Sequence, residues 1–439
     1  MRLLLGAGLA IMALTAGAAR RAQGPTGMAI VDSAAVGRTE YARGLAALRA
    51  GDSAAALRAL TRASSAWPTQ PAYAWARAVV AARMGNEDDL LDALTDHADL
   101  SVGRDLGADS AMARLTSRPG FREIAARHME LFAPLRRGQP RVVLPDSTFF
   151  PEAVDVDPRS GLFYVSSVRH RTIAELTPNG DYIRELLPRE GVGLGAVLGI
   201  RVDPRRSVLW ATMAGIPQMK GYVAADSATH ALVRIRLPEG EVDRMWRLPP
   251  SPNGHTLGDV AVSPLGDVFA SDSRDPVLYR LEDGVDTLQA IRHPLFRSLQ
   301  GIAPAPDGRT VFVADYSHGI LRVDAITAEV SRIGDGPGTT TLGCDGLAWD
   351  DGALVAVQNG VVPPRIVRFV LDSAWSGIIR TEIIDRNVPL ADEPTMGIVL
   401  GDDFVYVANS QWGKYGDDGS LLANARLRRP VLMSVGLPR

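Results

Sequence analysis

A β-rich unit repeated six times behind an alanine-rich stretch of helical periodicity predicts a mainly β chain, a six-bladed β-propeller preceded by an α-helical N-terminal region. Two observations carry this reading. From Tyr41 to about Leu131 apolar residues recur at helical spacing, and beyond Arg136-Arg137-Gly138-Gln139-Pro140 that period vanishes. From there on, each of six segments places an apolar residue before Asp, Ser or a similar residue, then a turn, then a hydrophobic strand.

The six are Val154-Asp-Val-Asp-Pro with Phe163-Tyr-Val, Ile200-Arg-Val-Asp-Pro with Leu209-Trp-Ala, and Val260-Ala-Val-Ser-Pro with Val268-Phe-Ala; then Ile302-Ala-Pro-Ala-Pro with Val311-Phe-Val, Leu347-Ala-Trp-Asp with Leu354-Val-Ala, and Ile398-Val-Leu-Gly with Val405-Tyr-Val. Asp, Pro and Gly in the turns are hairpin chemistry. Further strands follow, such as Val277 to Leu281 and Gly319 to Asp324, giving four-stranded units of about 40 to 60 residues, the size of propeller blades. Two stacked β-sandwiches would leave the recurrent unit unexplained. The sixth copy is one strand short, while Arg141 to Leu144 has no blade of its own. That stretch is expected to close the ring beside Pro430 to Val435, removing two open edges.

The helical stretch has its own repeat. Gly51 and Gly85 lie 34 residues apart in similar contexts, and Gly44, Ala56, Ala63 and Pro68 take the remaining signature positions of the first copy. This resembles the tetratricopeptide repeat, in which small residues let two antiparallel helices approach and glycine turns between them. The second copy is degenerate, and a third helical piece from about Asp109 to Leu131 caps it. Two repeats cannot bury a full solenoid face, so the region is expected to pack on the β-rich part of the chain or on a protein partner. The expected organisation is a signal peptide at 1–24, a tetratricopeptide-like helical repeat domain at 30–135 and the propeller at 139–439.

Composition fits a two-domain globular chain: 439 residues, 46% apolar, 22% charged, with net charge −3. No basic run could neutralise a row of phosphates, which argues against nucleic-acid binding. Arg2, the apolar stretch Leu3 to Ala16 and the small residues Ala16-Gly17-Ala18 read as a secretory leader. No later run is long and apolar enough to span a bilayer, so the mature protein is expected to be extracytoplasmic and not membrane-spanning. The only cysteine, Cys344, rules out an internal disulfide.

In a propeller the starts of the innermost strands converge on the central channel. Aligned on the residue before each turn, those positions read Glu152, Leu198, Gly258, Gln300, Asp345 and Thr395. Four carry oxygen, and two carboxylates with an amide suit a hard divalent cation such as Ca²⁺. Pro151-Glu152, Leu299-Gln300-Gly301 and Cys344-Asp345-Gly346 resemble metal-site motifs of the senescence marker protein/gluconolactonase/regucalcin family of six-bladed propellers, many of them lactone hydrolases. The resemblance covers roughly the last 300 residues. It implies Glu152, Gln300 and Asp345 as metal ligands, Asp345 also as catalytic proton acceptor, and a small lactone or ester as substrate. Gln300 stands where the family usually has asparagine. Gly258 replaces another asparagine, and only its neighbour Asp259 could substitute.

His255, just before the third inner strand, and Asn409 and Trp412, in the last blade's loop, are further pocket candidates. Cys344 should face away from the channel by strand alternation and pack as a small hydrophobe. The leading functional expectation is an exported, metal-binding, hydrolase-like propeller. The other is a non-catalytic propeller that binds a ligand or protein, with the helices as an adaptor.

Overall fold

The computed structural model describes residues 28–189 and 193–439, so the leader at 1–24 lies outside the described residues. The helices come first and are paired: α1 (Met28–Arg49) with α2 (Ser53–Ala66), and α3 (Pro71–Met84) with α4 (Glu87–Ala98). Gly51 and Gly85 make the two turns at φ +80° and +70°, a conformation that glycine adopts without steric cost. Asp52 then caps α2 by accepting the Ala55 N–H at 2.8 Å, and α2 stops two residues short of Pro68. A Cβ at Gly44 would collide with Leu60, which is why a small residue sits where α1 crosses α2. Helices α5 (Ser110–Thr116) and α6 (Arg122–Phe132) close the apolar cluster through Met112, Leu115 and Ile124.

Six four-stranded antiparallel sheets follow. Five are simple meanders. The sixth is completed by Gln139–Val143, which pairs with Val431–Gly436, so the strand before the first blade closes the last one as the sequence implied. The first strands of consecutive blades touch in a closed ring around the channel. Six apolar cores hold it together, one between each pair of neighbouring blades. Inner strands are buried on both faces, whereas outer strands such as Val242–Arg247 are exposed or half-buried along their length and carry charge.

The helices sit over blades 4 and 5, on the end of the propeller where the inner strands begin. Trp67 and Tyr73 pack with Leu342, Leu100 and Val102 with Val361, and buried Arg365 donates to the Ser101 carbonyl at 2.6 Å. Asn387 and Arg386 hold the end of α6 by its carbonyls. This buries the face that two helical pairs leave open.

Candidate active site in the propeller channel

Every inner strand begins at a β-bulge, and the six bulges encircle the channel. Register slips between Pro151 and Val154, Val197 and Ile200, Leu257 and Val260, and Leu299 and Ile302. In blade 5 Val357 accepts the Asp345 N–H at 2.8 Å and donates to Gly346 O at 3.0 Å; Val407 does the same for Thr395 and Met396 at 3.1 and 3.0 Å. The first bulge residues are the six positions aligned from sequence. A bulge inserts one unpaired residue and re-aims its side chain, here at the channel end.

The second bulge residue explains the glycines. A Cβ at Gly301 would lie 2.4 Å from Leu347 N and 2.5 Å from Asp345 O, both backbone of the next blade. Gly301 instead donates its N–H to that Asp345 carbonyl at 2.9 Å. Gly301→Ala is therefore expected to cost at least about 1–3 kcal/mol, because backbone cannot step aside. Gly258→Ala, whose Cβ would meet Gln300 Oε1 at 3.6 Å and Ser271 Oγ at 3.8 Å, both ordinary contacts, should be tolerated. Comparing the two melting temperatures checks this, and equal losses would refute the close-approach argument.

Glu152 and Asp345 are both buried, at 6% and 9% exposure, and each is held through one oxygen. Trp412 Nε1–H donates to Glu152 Oε2 at 2.7 Å. Asn359 Nδ2 donates to Asp345 Oδ2 at 2.7 Å and to Pro394 O at 2.9 Å, while Tyr316 O–H donates to Asn359 Oδ1 at 3.1 Å and so fixes the amide's orientation. The second oxygen of each carboxylate has no hydrogen-bond partner among the described residues. Burial raises the proton affinity of Glu152 well above the carboxylate range and the charge of Asp345 adds to it, with the Trp412 bond opposing. Burial likewise pushes Asp345 up to about 7, against the Asn359 bond and with help from Asp259.

Gln300 is half-buried, its Nε2 3.3 Å from Ser298 Oγ and its Oε1 beside Gly258. The longer amide thus occupies the room that Gly258 leaves. Thr395 is committed elsewhere: its hydroxyl donates to Glu152 O at 2.7 Å, stitching blade 6 to blade 1. Leu198 joins Phe150, Met219 and Tyr415 in an apolar wall against which Trp412 packs.

Three pocket candidates take different roles. The carboxylate of Asp259 accepts the Ile302 N–H at 2.9 Å, so it clasps blade 3 to blade 4 rather than replacing a missing ligand. His255 is 3% exposed, with Nδ1 2.6 Å from Asp272 Oδ2 and Nε2 2.7 Å from Pro249 O, so both nitrogens are used to pin a loop. Asn409 spends its amide on Arg429 O and the Val431 N–H, anchoring the last strand. In each case a buried polar side chain beside a strand end is bonded to a neighbouring backbone or carboxylate group, and His255 lines a separate cleft with Pro249 and Arg292. Trp412 bonds directly to Glu152, and the charge of Asp259 reaches both carboxylates. Cys344 lies in the core between blades 4 and 5, where burial raises its thiol.

Sequence reasoning missed Asn359 and Glu393. Glu393 accepts the Gly413 N–H at 2.8 Å, burial pushes it up to about 7, and its charge reaches Glu152. Both lie in loops outside the repeat, where no periodic signal points to them. The loop that carries Trp412 also meets the corresponding loop of blade 2, Gln218 Nε2 donating to Gly416 O at 3.2 Å, so it arches over blade 1. Among the described residues no three His, Cys, Asp or Glu side chains form a metal-binding group. What a cation would meet is two carboxylates and the Gln300 amide, all hard oxygens, and in chemistry that set fits calcium.

Fold and site together define a six-bladed β-propeller with a carboxylate pair at the channel mouth. No family model and no curated protein matches the chain. Among solved structures it is similar to virginiamycin B lyase from Staphylococcus aureus, at 13% identity and a TM-score of 0.47, covering 68% of this chain and 98% of that one. It is also similar to regucalcin, a calcium-binding protein, from Agrobacterium tumefaciens, at 16% identity and a TM-score of 0.45, covering 68% and 94%. A gluconolactonase candidate gives 16% identity and 0.45, covering 71% and 98%. What these proteins share with the chain is the propeller.

Proposed function

We propose that the channel mouth binds a hard divalent cation, calcium by preference, through Glu152, Gln300 and Asp345, and hydrolyses a lactone or ester there. One observation carries the reading: two buried carboxylates, both with raised proton affinity and Asp345 adding to that of Glu152, with no arginine or lysine bonded to either among the described residues, and each with one oxygen free. Such a pair is stable only with a proton or a cation between its members. A bound cation would supply carbonyl polarisation and a more acidic water.

The chain's own groups do the rest. The free oxygen of Asp345 takes the proton from the attacking water. Asn359, oriented by Tyr316, keeps that oxygen aimed at the channel. Trp412 holds Glu152 in the same way. The wall of Phe150, Leu198 and Tyr415 excludes water and receives the apolar part of the substrate.

The test is a panel of lactones and aryl esters at saturating calcium. Wild type should turn one of them over, and Asp345→Asn should lower that rate by about 10²–10⁴-fold, since an amide accepts no proton. A wild type that binds calcium and turns over nothing would sink the catalytic half. It would leave a ligand-binding propeller with a structural ion, a reading favoured by Gly258, which offers no side-chain oxygen at its place in the set. Export belongs to the same proposal: mass spectrometry of native protein should find a chain beginning shortly after Ala18, and an intact Met1 would overturn it.

A further inference from the structure

Arg104, in the loop after α4, has no carboxylate within ion-pair distance among the described residues, although paired arginines abound elsewhere in the chain. Its guanidinium lies over the Trp75 ring, 5.0 Å from the centroid, and its Nε is buried with no hydrogen-bond partner. Burial lowers its proton affinity, to about 10, and the one group opposing this is Tyr41. Tyr41 stacks on Tyr73 with ring centroids 4.9 Å apart, and neither hydroxyl has a hydrogen-bond partner among the described residues. Arg38 stands one turn before Tyr41 on the same face of α1. It too forms no ion pair there: its Nη1 lies 3.0 Å from His318 Nε2, His318 Nδ1 is 2.7 Å from Leu295 O, and the charges of Asp315 and Arg297 reach it from the propeller with opposite effect. The chain ahead of α1 cannot neutralise either arginine, because residues 1–27 contain no Asp or Glu.

A half-buried guanidinium without a counter-charge is costly, and arginine's planar fork is shaped for carboxylates. Here the chain keeps two guanidiniums without an ion-paired carboxylate beside a stacked tyrosine pair, Arg38 near Tyr73 and Arg104 near Tyr41. We infer that the strip formed by Arg38, Tyr41, Trp75 and Arg104, backed by the buried Tyr73, binds an acidic peptide segment of a partner protein, two of its carboxylates meeting the two guanidiniums and an apolar residue between them resting on Tyr41. Two separated cations call for two linked anionic groups, and the half-buried Tyr41 ring between them calls for an apolar spacer, which a short acidic peptide provides. The strip lies where the helices meet the propeller, on the channel-mouth end, and the inference does not rest on the channel's chemistry.

The test uses the full chain as purified and calorimetric titration with three probes: a hexapeptide alternating Glu and Leu, the same peptide with Gln for Glu, and succinate. The acidic peptide should bind, the Gln peptide at least about tenfold more weakly, and added salt should weaken binding. Arg104→Gln should lose at least about tenfold in affinity while its melting temperature without peptide stays level or rises, since an uncompensated buried charge is gone. Asp345→Asn should bind the peptide as wild type does. No binding by wild type, equal binding of the Gln peptide, or succinate as tight as the acidic peptide would each overturn the assignment. So would an Arg104→Gln protein that melts several degrees lower and still binds, for then Arg104 merely packs on Trp75.

Discussion

Truncating the chain after Leu400 is expected to abolish cooperative unfolding of the whole propeller, not to trim one blade. The cut removes Asp403–Val407 and Val431–Gly436. Phe404, Tyr406, Leu432 and Met433, all buried, leave with them. Each contributes about 1.5–3 kcal/mol by burial, so the four rival the about 5–15 kcal/mol that holds an ordinary domain. Two of the six interblade cores open at once, because the sixth blade packs on blades 5 and 1. Gln139–Val143 also loses its partner strand. Circular dichroism and a melting curve decide the matter: a folded remainder with a sharp transition would show that the ring does not depend on closure.

The second large effect lies at the carboxylate pair and has a definite sign. Folding raises the proton affinity of Asp345 from the ordinary carboxyl range, about 4, to about 7. The folded state therefore holds the proton more tightly than the unfolded chain. This contribution is complete below about pH 4 and is lost as pH rises through about 7, by at most about 1.4 kcal/mol per pH unit. In metal-free protein Asp345→Asn should stabilise, and its advantage over wild type should grow between pH 4 and 7 and then level off. Calcium should erase that advantage by raising the melting temperature of wild type alone. The difference between the two proteins is the quantity to follow, because buried histidines such as His97 and His128, whose proton affinity folding lowers, tilt the common background the other way. A wild type and Asp345→Asn pair with parallel melting profiles from pH 4 to 8, unmoved by calcium, would refute the strained-pair description of the channel.

Much of the architecture was legible in residues. The repeat announced six blades, and the unassigned strand at Arg141 announced the closure, because an edge without a partner is a cost visible in any β-rich sequence. The alignment on turns even located the bulge positions Glu152, Gln300 and Asp345. Their partners were not legible. Asn359, Tyr316 and Glu393 stand in loops whose sequences carry no period, and their meeting at the channel follows from how blades 4, 5 and 6 are arrayed around it.

Sequence alone determined the fold, since hydrophobic periodicity and turn chemistry are local properties summed along the chain. It also determined which oxygens stand at the channel end, since that follows from position within the repeat. Only the tertiary structure decided which polar groups remain available there. His255, Asn409 and Asp259 look in sequence like pocket residues, yet each is consumed by a backbone or carboxylate partner brought from another strand. Trp412, no different in sequence, is delivered to Glu152 by a loop that arches across blade 1. A buried polar atom bonds to whatever partner the packing places beside it, and that neighbour is a property of the assembled ring.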